Sequence, residues 1–175
     1  KCGGPNPGKF PKIHNIIVFS EENMDWFKSQ PKYYNSKIHL IPNRVLALIN
    51  DQTFTPIRKV MQDFVFMRIG RICSRYKKSI LDSISLIEIL LSKNIRNVRL
   101  FIIGEVQDVD LYQNIKKHYL MNSNHVVLLT ETKFISEASK MLYLADAVIG
   151  TGRGLMESAS LAIPILALDS KGSIP

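Results

Sequence analysis

The sequence predicts an α/β fold built on a doubly wound parallel sheet, with helices covering both faces. Through the second part of the chain, short apolar segments alternate with stretches of helical periodicity, a pattern typical of consecutive strand–helix units. A glycine-rich loop near the C-terminal end joins one apolar segment to a helix. Of the 175 residues, 46% are hydrophobic and 22% are charged, which is enough apolar material for a sizeable core.

The first 45 residues contain one strand–helix–strand unit after an irregular lead-in. The apolar residues at 13–19 predict a buried strand. Ser20 is a suitable N-cap for the next helix, because its side chain can accept a hydrogen bond from the helix backbone, and Pro31 limits that helix. A second strand is expected at 38–41. Residues 46–62 have weak periodicity and are interpreted as a linker.

Residues 63–175 are predicted to form one domain of successive strand–helix units. The predicted strands are 64–69, 98–103, 125–129, 147–149 and 165–168. The predicted helices are 77–93, 110–121, 136–144 with Ser136 as N-cap, and a segment from the glycine loop to a point before Pro164. The first of these helices is the most clearly periodic, because isoleucines and a leucine recur on one face at 80, 84, 87 and 91.

The charge of the chain indicates an anionic partner. The formal net charge is +8 at pH 7, which suits nucleotide phosphates, nucleic acid or a lipid surface. Between Arg58 and Lys78, seven basic residues accompany a single acid, Asp63. Such a tract is often a solvated face, but this one coincides with a predicted strand end, where α/β folds bind ligands.

Metal and thiol chemistry are not indicated. Cys2 and Cys73 provide neither a metal-ligand spacing nor a disulfide framework, so a cytoplasmic location is expected. The four histidines are scattered along the chain. We therefore expect no metal ligands and no cofactor.

The segment 145–169 carries the strongest ligand-binding signal. The strand at 147–149 leads into a loop that contains Gly150, Gly152 and Gly154, and a helix follows. Glycines let the backbone approach a ligand, and a helix N-terminus attracts anions, so the loop is interpreted as a phosphate cradle. Glu157 lies about one turn into the helix, where it can accept hydrogen bonds from sugar hydroxyls. The alternative is a tight turn with Glu157 as a solvated carboxylate.

Three predicted loops, at 70–76, 130–135 and 150–154, follow strand ends and should share one edge of the sheet. Arg71 and Lys77 are therefore expected to reach a diphosphate held over the glycine loop. The rival interpretation is a dinucleotide fingerprint, with Gly150-x-Gly152 and Asp169 as the ribose-binding acid. Leu155 occupies its third glycine position, and the motif comes late in the chain, which disfavours this alternative.

Four segments together resemble the group 1 family of glycosyltransferases. They are I-P-N-R-V at 41–45, I-G-R-I-C-S-R-Y-K-K at 69–78, L-F-I-I-G at 100–104 and L-A-D-A-V-I-G-T-G-R-G-L-M-E-S-A-S-L-A-I-P-I-L-A at 144–167. The resemblance is to the Rossmann-like, donor-binding half of the two-domain GT-B fold, and it covers 60–168 well and 13–45 loosely. It implies that 1–45 is the end of an acceptor domain with the crossover, and that 63–175 is a donor-binding domain cut short at its C-terminus.

The resemblance also implies roles for individual residues. The family's diphosphate-binding cations, which act on the leaving group, correspond to Arg71 and Lys77, with Lys78 as the near alternative. The ribose-binding carboxylate corresponds to Glu157. The loop that contacts the base, largely through its backbone, corresponds to Lys133, Phe134 and Ile135.

One departure concerns the family's first glutamate, eight positions before the second, which is Ile149 here. The residues of that region are Gly150, Thr151, Gly152, Arg153 and Gly154. Arg153 or the loop amides are expected to replace the missing glutamate in recognition of the transferred sugar.

The function implied by the resemblance is retaining transfer of a hexose from a UDP- or GDP-sugar to a cell-surface polysaccharide or glycolipid. The expected partners are the nucleotide-sugar donor and a saccharide or lipid-linked acceptor, without nucleic acid, and with peripheral association at the inner face of the membrane. This chain alone is expected to bind donor without turnover. Two alternatives stay open: a non-catalytic basic module that binds nucleic acid or anionic lipid, and a GT-B sugar-nucleotide epimerase.

Overall fold

The structure is a computed structural model that describes residues 11–42, 45, 62–120 and 124–168. The chain forms two compact units, Lys1–Arg44 and Val45–Pro175. The linker predicted at 46–62 lies outside the described residues except for Gln62, and so does Asp169, the acid of the dinucleotide alternative.

The smaller unit is a strand–helix–strand unit, as predicted. Strands β1 (Asn15–Val18) and β2 (Lys37–Leu40) pair in parallel. Helix α1 (Glu21–Ser29) begins at Ser20, whose hydroxyl accepts a hydrogen bond from the Asn23 backbone N–H at 3.3 Å. This cap satisfies one of the N–H groups that a helix start leaves without a partner.

The larger unit is built on a five-stranded sheet in which neighbouring strands pair in parallel. Its strands are β3 (Phe64–Ile69), β4 (Val98–Ile103), β5 (Val126–Leu129), β6 (Ala147–Gly150) and β7 (Ile165–Ala167). Their order across the sheet is β5-β4-β3-β6-β7. The chain starts in the middle at β3, moves outward to β5 and then crosses to the other side at β6, so the sheet is doubly wound as the sequence predicts.

Helices cover both faces of this sheet. One face carries α2 (Lys77–Ser92) and α3 (Val109–Ile115), which pack on a core that includes Leu100 and Ile102. The other face carries α4 (Thr132–Ser136), a 3₁₀ helix at Ala138–Leu144 and α5 (Arg153–Ser160), which pack around Met67 and Val148. Consecutive residues of β3 alternate between the two cores because side chains alternate along a strand.

Two predicted helices need correction. The α-helical part of the segment predicted at 110–121 ends at Ile115, and a π-helical turn, Lys116–Leu120, follows it. The prediction that Ser136 caps a helix at 136–144 is wrong, because Ser136 is the last residue of α4. The predicted segment instead forms the 3₁₀ helix Ala138–Leu144, whose N-cap residue is Glu137, and α4 precedes it as a separate short helix that the sequence analysis did not predict.

Candidate functional site

A cavity of about 270 Å³ lies where the strand order reverses. Strands β3 and β6 are neighbours, but the chain leaves β3 towards β4 and leaves β6 towards β7, so the loops that follow them diverge. The cavity is lined by Arg68, Ile69, Gly70, Arg71, Tyr76, Thr151, Arg153, Gly154 and Glu157. Two of the three loops predicted to share an edge of the sheet thus contribute to one cavity.

Arg71 is held at this edge by the backbone on either side of it. The N–H of Gly70 donates to Ile103 at 2.9 Å, and the N–H of Ile72 donates to Glu105 at 2.8 Å. A Cβ atom at Gly104 would lie 1.9 Å from the Gly70 carbonyl oxygen, so the close approach of the two loops requires glycine. The arginine position is therefore fixed by strand and loop pairing.

The Arg71 side chain is exposed, and its guanidinium lies 5.9 Å from the ring centroid of Tyr76. No carboxylate of a described residue forms an ion pair with Arg71 or with Lys77, the first residue of α2. Lys78 differs, because its ammonium lies 3.0 Å from Asp82. Neither lysine lines the cavity itself.

The strand–glycine loop–helix arrangement is present as predicted. Gly152 precedes α5 with φ 74° and ψ −141°, a left-handed conformation that favours glycine. No side chain caps the helix at this position. A Cβ atom at Gly150 would lie 3.4 Å from a terminal guanidinium nitrogen of Arg68, so this glycine also leaves room for a cation. Gly150 and Gly152 shape the loop, whereas Thr151, Arg153 and Gly154 line the cavity.

Glu157 is a buried carboxylate, with 7% of its surface exposed. Its Oε2 accepts a hydrogen bond from the Ser139 hydroxyl at 2.8 Å, and its Oε1 accepts one from Arg153 Nε at 2.7 Å. The Arg153 side chain is 78% exposed. The alternative of a solvated helix carboxylate is therefore wrong, because burial and two hydrogen bonds fix Glu157 at the cavity wall.

The segment predicted to contact a base lies elsewhere. Lys133, Phe134 and Ile135 belong to α4 and not to a loop. Phe134 is buried in the core, and Lys133 forms an ion pair with Glu131 at 2.7 Å. Ile135 lines a separate depression, formed with Glu105, Val106, Thr130 and Thr132. The backbone N–H groups of Phe134 and Ile135 already donate hydrogen bonds within α4. The contact of this segment with a base stays a prediction.

Four of the residues that line the cavity were not predicted as site residues: Arg68, Ile69, Gly70 and Tyr76. Arg68 is the charged one among them. It lies in β3, is 3% exposed, and donates a hydrogen bond from Nη2 to the Ser79 hydroxyl at 2.8 Å. Burial lowers the pKa of Arg68 to about 10, and the neighbouring Tyr76 acts in the opposite direction with a smaller effect. A charged residue inside the apolar segment F-V-F-M-R-I is the sequence signal that points to it.

Among the residues that the structure describes, no three histidine, cysteine or acidic side chains come together as metal ligands would. The expectation that the site needs no metal stays a prediction.

Comparisons with known proteins identify the fold. No family model and no curated protein sequence matches this chain, but solved structures do. A mutant of S. aureus TarM, in complex with Fondaparinux, alpha-GlcNAc-glycerol and UDP, matches 90% of this chain with a TM-score of 0.66 and 22% identity. WaaG, a glycosyltransferase involved in lipopolysaccharide biosynthesis, matches 89% with a TM-score of 0.62 and 14% identity. This chain spans 30% of the TarM chain and 44% of the WaaG chain.

The chain therefore has the Rossmann-like α/β fold of the GT-B glycosyltransferases, and the predicted fold class is confirmed. This is also the fold that the resemblance of the sequence to the group 1 glycosyltransferases implies.

Proposed function

We propose that this chain is the nucleotide-sugar-binding part of a retaining glycosyltransferase that transfers a hexose to a cell-surface polysaccharide or glycolipid. The observation that carries the proposal is the cavity at the strand-order reversal, where guanidinium groups, a glycine loop and a buried carboxylate meet. The structural neighbours are glycosyltransferases, and the TarM structure is a complex with UDP, which supports a nucleotide-sugar substrate.

The cationic side of the cavity suits the donor diphosphate. Arg71 offers a planar fork of donors to phosphate oxygens, and Lys77 adds a mobile point charge at the start of α2. The chemical step breaks the bond between the sugar carbon and the diphosphate, so negative charge grows on the leaving group. Cations placed beforehand at that position lower the energy of the transition state. Arg71 and Lys77 are therefore the proposed catalytic residues.

The opposite side of the cavity suits the sugar hydroxyls of the nucleotide. The Glu157 carboxylate accepts hydrogen bonds, and its oxygens are already oriented by Ser139 and Arg153. A ribose hydroxyl that bonds to Oε1 would share this oxygen with the exposed Arg153 or displace it. The N-terminus of α5 and the amides of Thr151 and Gly152 complete a cradle for the phosphates.

Recognition of the transferred sugar needs a different residue from the family's first glutamate. Ile149, which occupies that position, is 2% exposed and packs in the core on the α2 side of the sheet. Its side chain is not among the residues that line the cavity. Arg153 and the loop amides are the proposed substitutes.

The proposal extends to location and to the complete enzyme. The net charge of +8 supports peripheral association with the anionic inner face of the cell membrane, in the cytoplasm. Among the described helices, none has the length and hydropathy to cross a membrane. Because this chain spans less than half of the TarM and WaaG chains, we propose that it binds donor but does not turn over alone.

A sugar-nucleotide epimerase is the less favoured function. Acidic or histidine residues facing the cleft would support it. Glu157 is the acidic residue among the described residues that line the cavity, and that lining includes no histidine.

The test is calorimetric titration of the 175-residue chain with UDP, GDP and NADH at moderate salt, with Arg71→Ala and Arg75→Ala as a matched pair. Both variants remove an exposed arginine, but Arg75 does not line the cavity. One nucleoside diphosphate should bind, and Arg71→Ala should weaken it roughly ten- to a hundredfold through loss of a charge-assisted contact. Arg75→Ala should bind as the unmodified chain does. Binding of NADH alone, or equal losses in both variants, would reject the proposed donor site.

A further inference from the structure

The inner wall of the cavity carries a buried cation that the proposed function has not used. Arg68 is 3% exposed, yet it lines the cavity beside Arg71 and Tyr76. Its Nη2 donates a hydrogen bond to the Ser79 hydroxyl, and its buried Nε has no partner among the described residues. A buried charge normally has a partner of opposite sign, because burial without one costs free energy.

Among the described residues, no carboxylate forms an ion pair with Arg68. Glu157 is the carboxylate of the cavity lining, and both of its oxygens accept hydrogen bonds from Ser139 and Arg153. The first turn of α2, above Arg68, contains no acid, and the positive end of its helix dipole adds to the guanidinium charge. Burial lowers the pKa of Arg68 only to about 10, so the side chain remains charged at neutral pH.

Sequence and geometry together keep this cation at the cavity. Side chains alternate between the two faces of β3, so Arg68 lies on the same face as Phe66, which packs in the core beneath α2. There the Ser79 hydroxyl accepts a hydrogen bond from the Arg68 guanidinium and orients it. Gly150 leaves space next to a terminal guanidinium nitrogen, since a Cβ atom there would lie 3.4 Å away. Ile149, the next residue back in β6, brings no charge to this side of the sheet.

We infer that Arg68 and Arg71 together form an anion-binding subsite at the inner wall, which holds an oxyanion of the donor substrate. The inference rests on the proposed function for the identity of that substrate. Two groups of a sugar nucleotide have the required chemistry, a phosphate of the diphosphate or a carboxylate on an acidic sugar. Either would place a negative charge against a desolvated cation, where attraction is weakly screened.

The experiment measures Kd for three probes with the 175-residue chain: the nucleoside diphosphate that binds best, its glucose derivative and its glucuronic acid derivative. Arg68→Met keeps the volume of the side chain and removes its charge. If the anion is a phosphate, this variant should bind all three probes roughly ten- to a hundredfold more weakly. If the anion is a sugar carboxylate, only the glucuronic acid derivative should be affected. Unchanged affinity for all three probes would overturn the inference.

Ser79→Ala and Ser83→Ala provide a matched control for effects of folding. Both serines are buried in α2, but the Ser83 hydroxyl donates to the Ser79 carbonyl, whereas the Ser79 hydroxyl accepts from Arg68. Ser79→Ala should weaken binding of the affected probe by a smaller factor than Arg68→Met, and Ser83→Ala should leave it unchanged. Equal losses in both serine variants would assign the effect to helix stability and overturn the subsite.

Thermal unfolding gives a second, independent arm. Because the guanidinium charge has no buried counter-ion among the described residues, Arg68→Met should raise the Tm of the ligand-free chain, and Arg68→Lys should not. Inorganic pyrophosphate should raise the Tm of the unmodified chain more than that of Arg68→Met.

These measurements separate the subsite from the proposed function. If pyrophosphate stabilises the unmodified chain more than Arg68→Met, but no nucleoside diphosphate binds better than pyrophosphate, the anion subsite stands and the proposed function fails. If a nucleoside diphosphate binds equally to the unmodified chain and to Arg68→Met, and the variant has a lower Tm, Arg68 is structural and the subsite fails.

Discussion

The two ends of the cavity differ in how their charges are balanced. At the α5 end, both oxygens of Glu157 accept hydrogen bonds from protein side chains. At the β3 end, Arg68 and Arg71 have no carboxylate partner among the described residues. The first end is oriented before a ligand arrives, whereas the second has no anionic side chain among the described residues. Under the proposed function, the protein fixes the hydroxyl-binding geometry itself and the substrate supplies the negative charge.

The largest effect on binding is expected at the α5 end of the cavity, from a substitution of Glu157. Glu157→Ala removes the proposed acceptor for the ribose hydroxyls and the observed partner of Arg153 and Ser139. The affinity for the nucleoside diphosphate should fall roughly a hundredfold or more, because two charge-assisted hydrogen bonds are lost. Calorimetry on the folded variant, checked by circular dichroism, measures this loss.

A nucleotide without the ribose hydroxyls separates this role from a general disturbance of the site. The 2′,3′-dideoxy nucleoside diphosphate cannot donate these hydrogen bonds, so it should bind equally to Glu157→Ala and to the unmodified chain. If Glu157→Ala weakens both nucleotides by the same factor, Glu157 shapes the cavity and does not bind the ribose.

A smaller effect is expected from the lysines at the start of α2, which sharpen the description of the cationic end. Lys77 has no carboxylate partner among the described residues, whereas Lys78 is 3.0 Å from Asp82. Lys77→Ala should weaken binding of the nucleoside diphosphate about tenfold, and Lys78→Ala about twofold or less, since an exposed ion pair already engages Lys78. The same titration measures both variants. The reverse order would make Lys78 the phosphate-binding residue.

Much of the fold could be predicted because buried parallel strands are continuous apolar segments. The bounds of β3 and β4 match the predicted 64–69 and 98–103. The order of strands across the sheet is set by packing between distant segments, so the sequence did not reveal that β3 and β6 are neighbours. The start of the helix predicted at 136–144 was misplaced because Ser136 has good capping chemistry, yet Ser136 ends α4 and Glu137 is the N-cap of the 3₁₀ helix that follows.

The site was predicted in part, because loops that follow the strands of a parallel sheet meet at one edge of that sheet. Arg71, Thr151, Arg153, Gly154 and Glu157 line one cavity, because each follows a strand end at the same edge of the sheet. Lys133, Phe134 and Ile135 do not, because α4 directs them to a separate depression and to the core. Arg68 was missed as a site residue because only the fold shows that its face of β3 meets α2 beside the cavity.

The smallest effect on binding is expected at the opposite edge of the sheet, which serves as a reference for both ends of the cavity. Asp146 joins the start of β6 to β3 there: its Oδ2 accepts from the Val65 N–H at 2.8 Å, and its own N–H donates to the Val65 carbonyl at 2.8 Å. Asp146→Ala leaves the buried Val65 N–H without this acceptor, so the free energy of unfolding should fall by about 1–3 kcal/mol. Urea denaturation measures this change.

The affinity of Asp146→Ala for the nucleoside diphosphate should stay unchanged at temperatures where the variant is folded, because the carboxylate lies at the N-terminal edge of parallel strands and the cavity lies at their C-terminal edge. Stability and binding are thus expected to separate along the length of the same two strands. If binding falls together with stability, the register between β3 and β6 determines the spacing of Arg68, Arg71 and Glu157, and neither end of the cavity is independent of the scaffold.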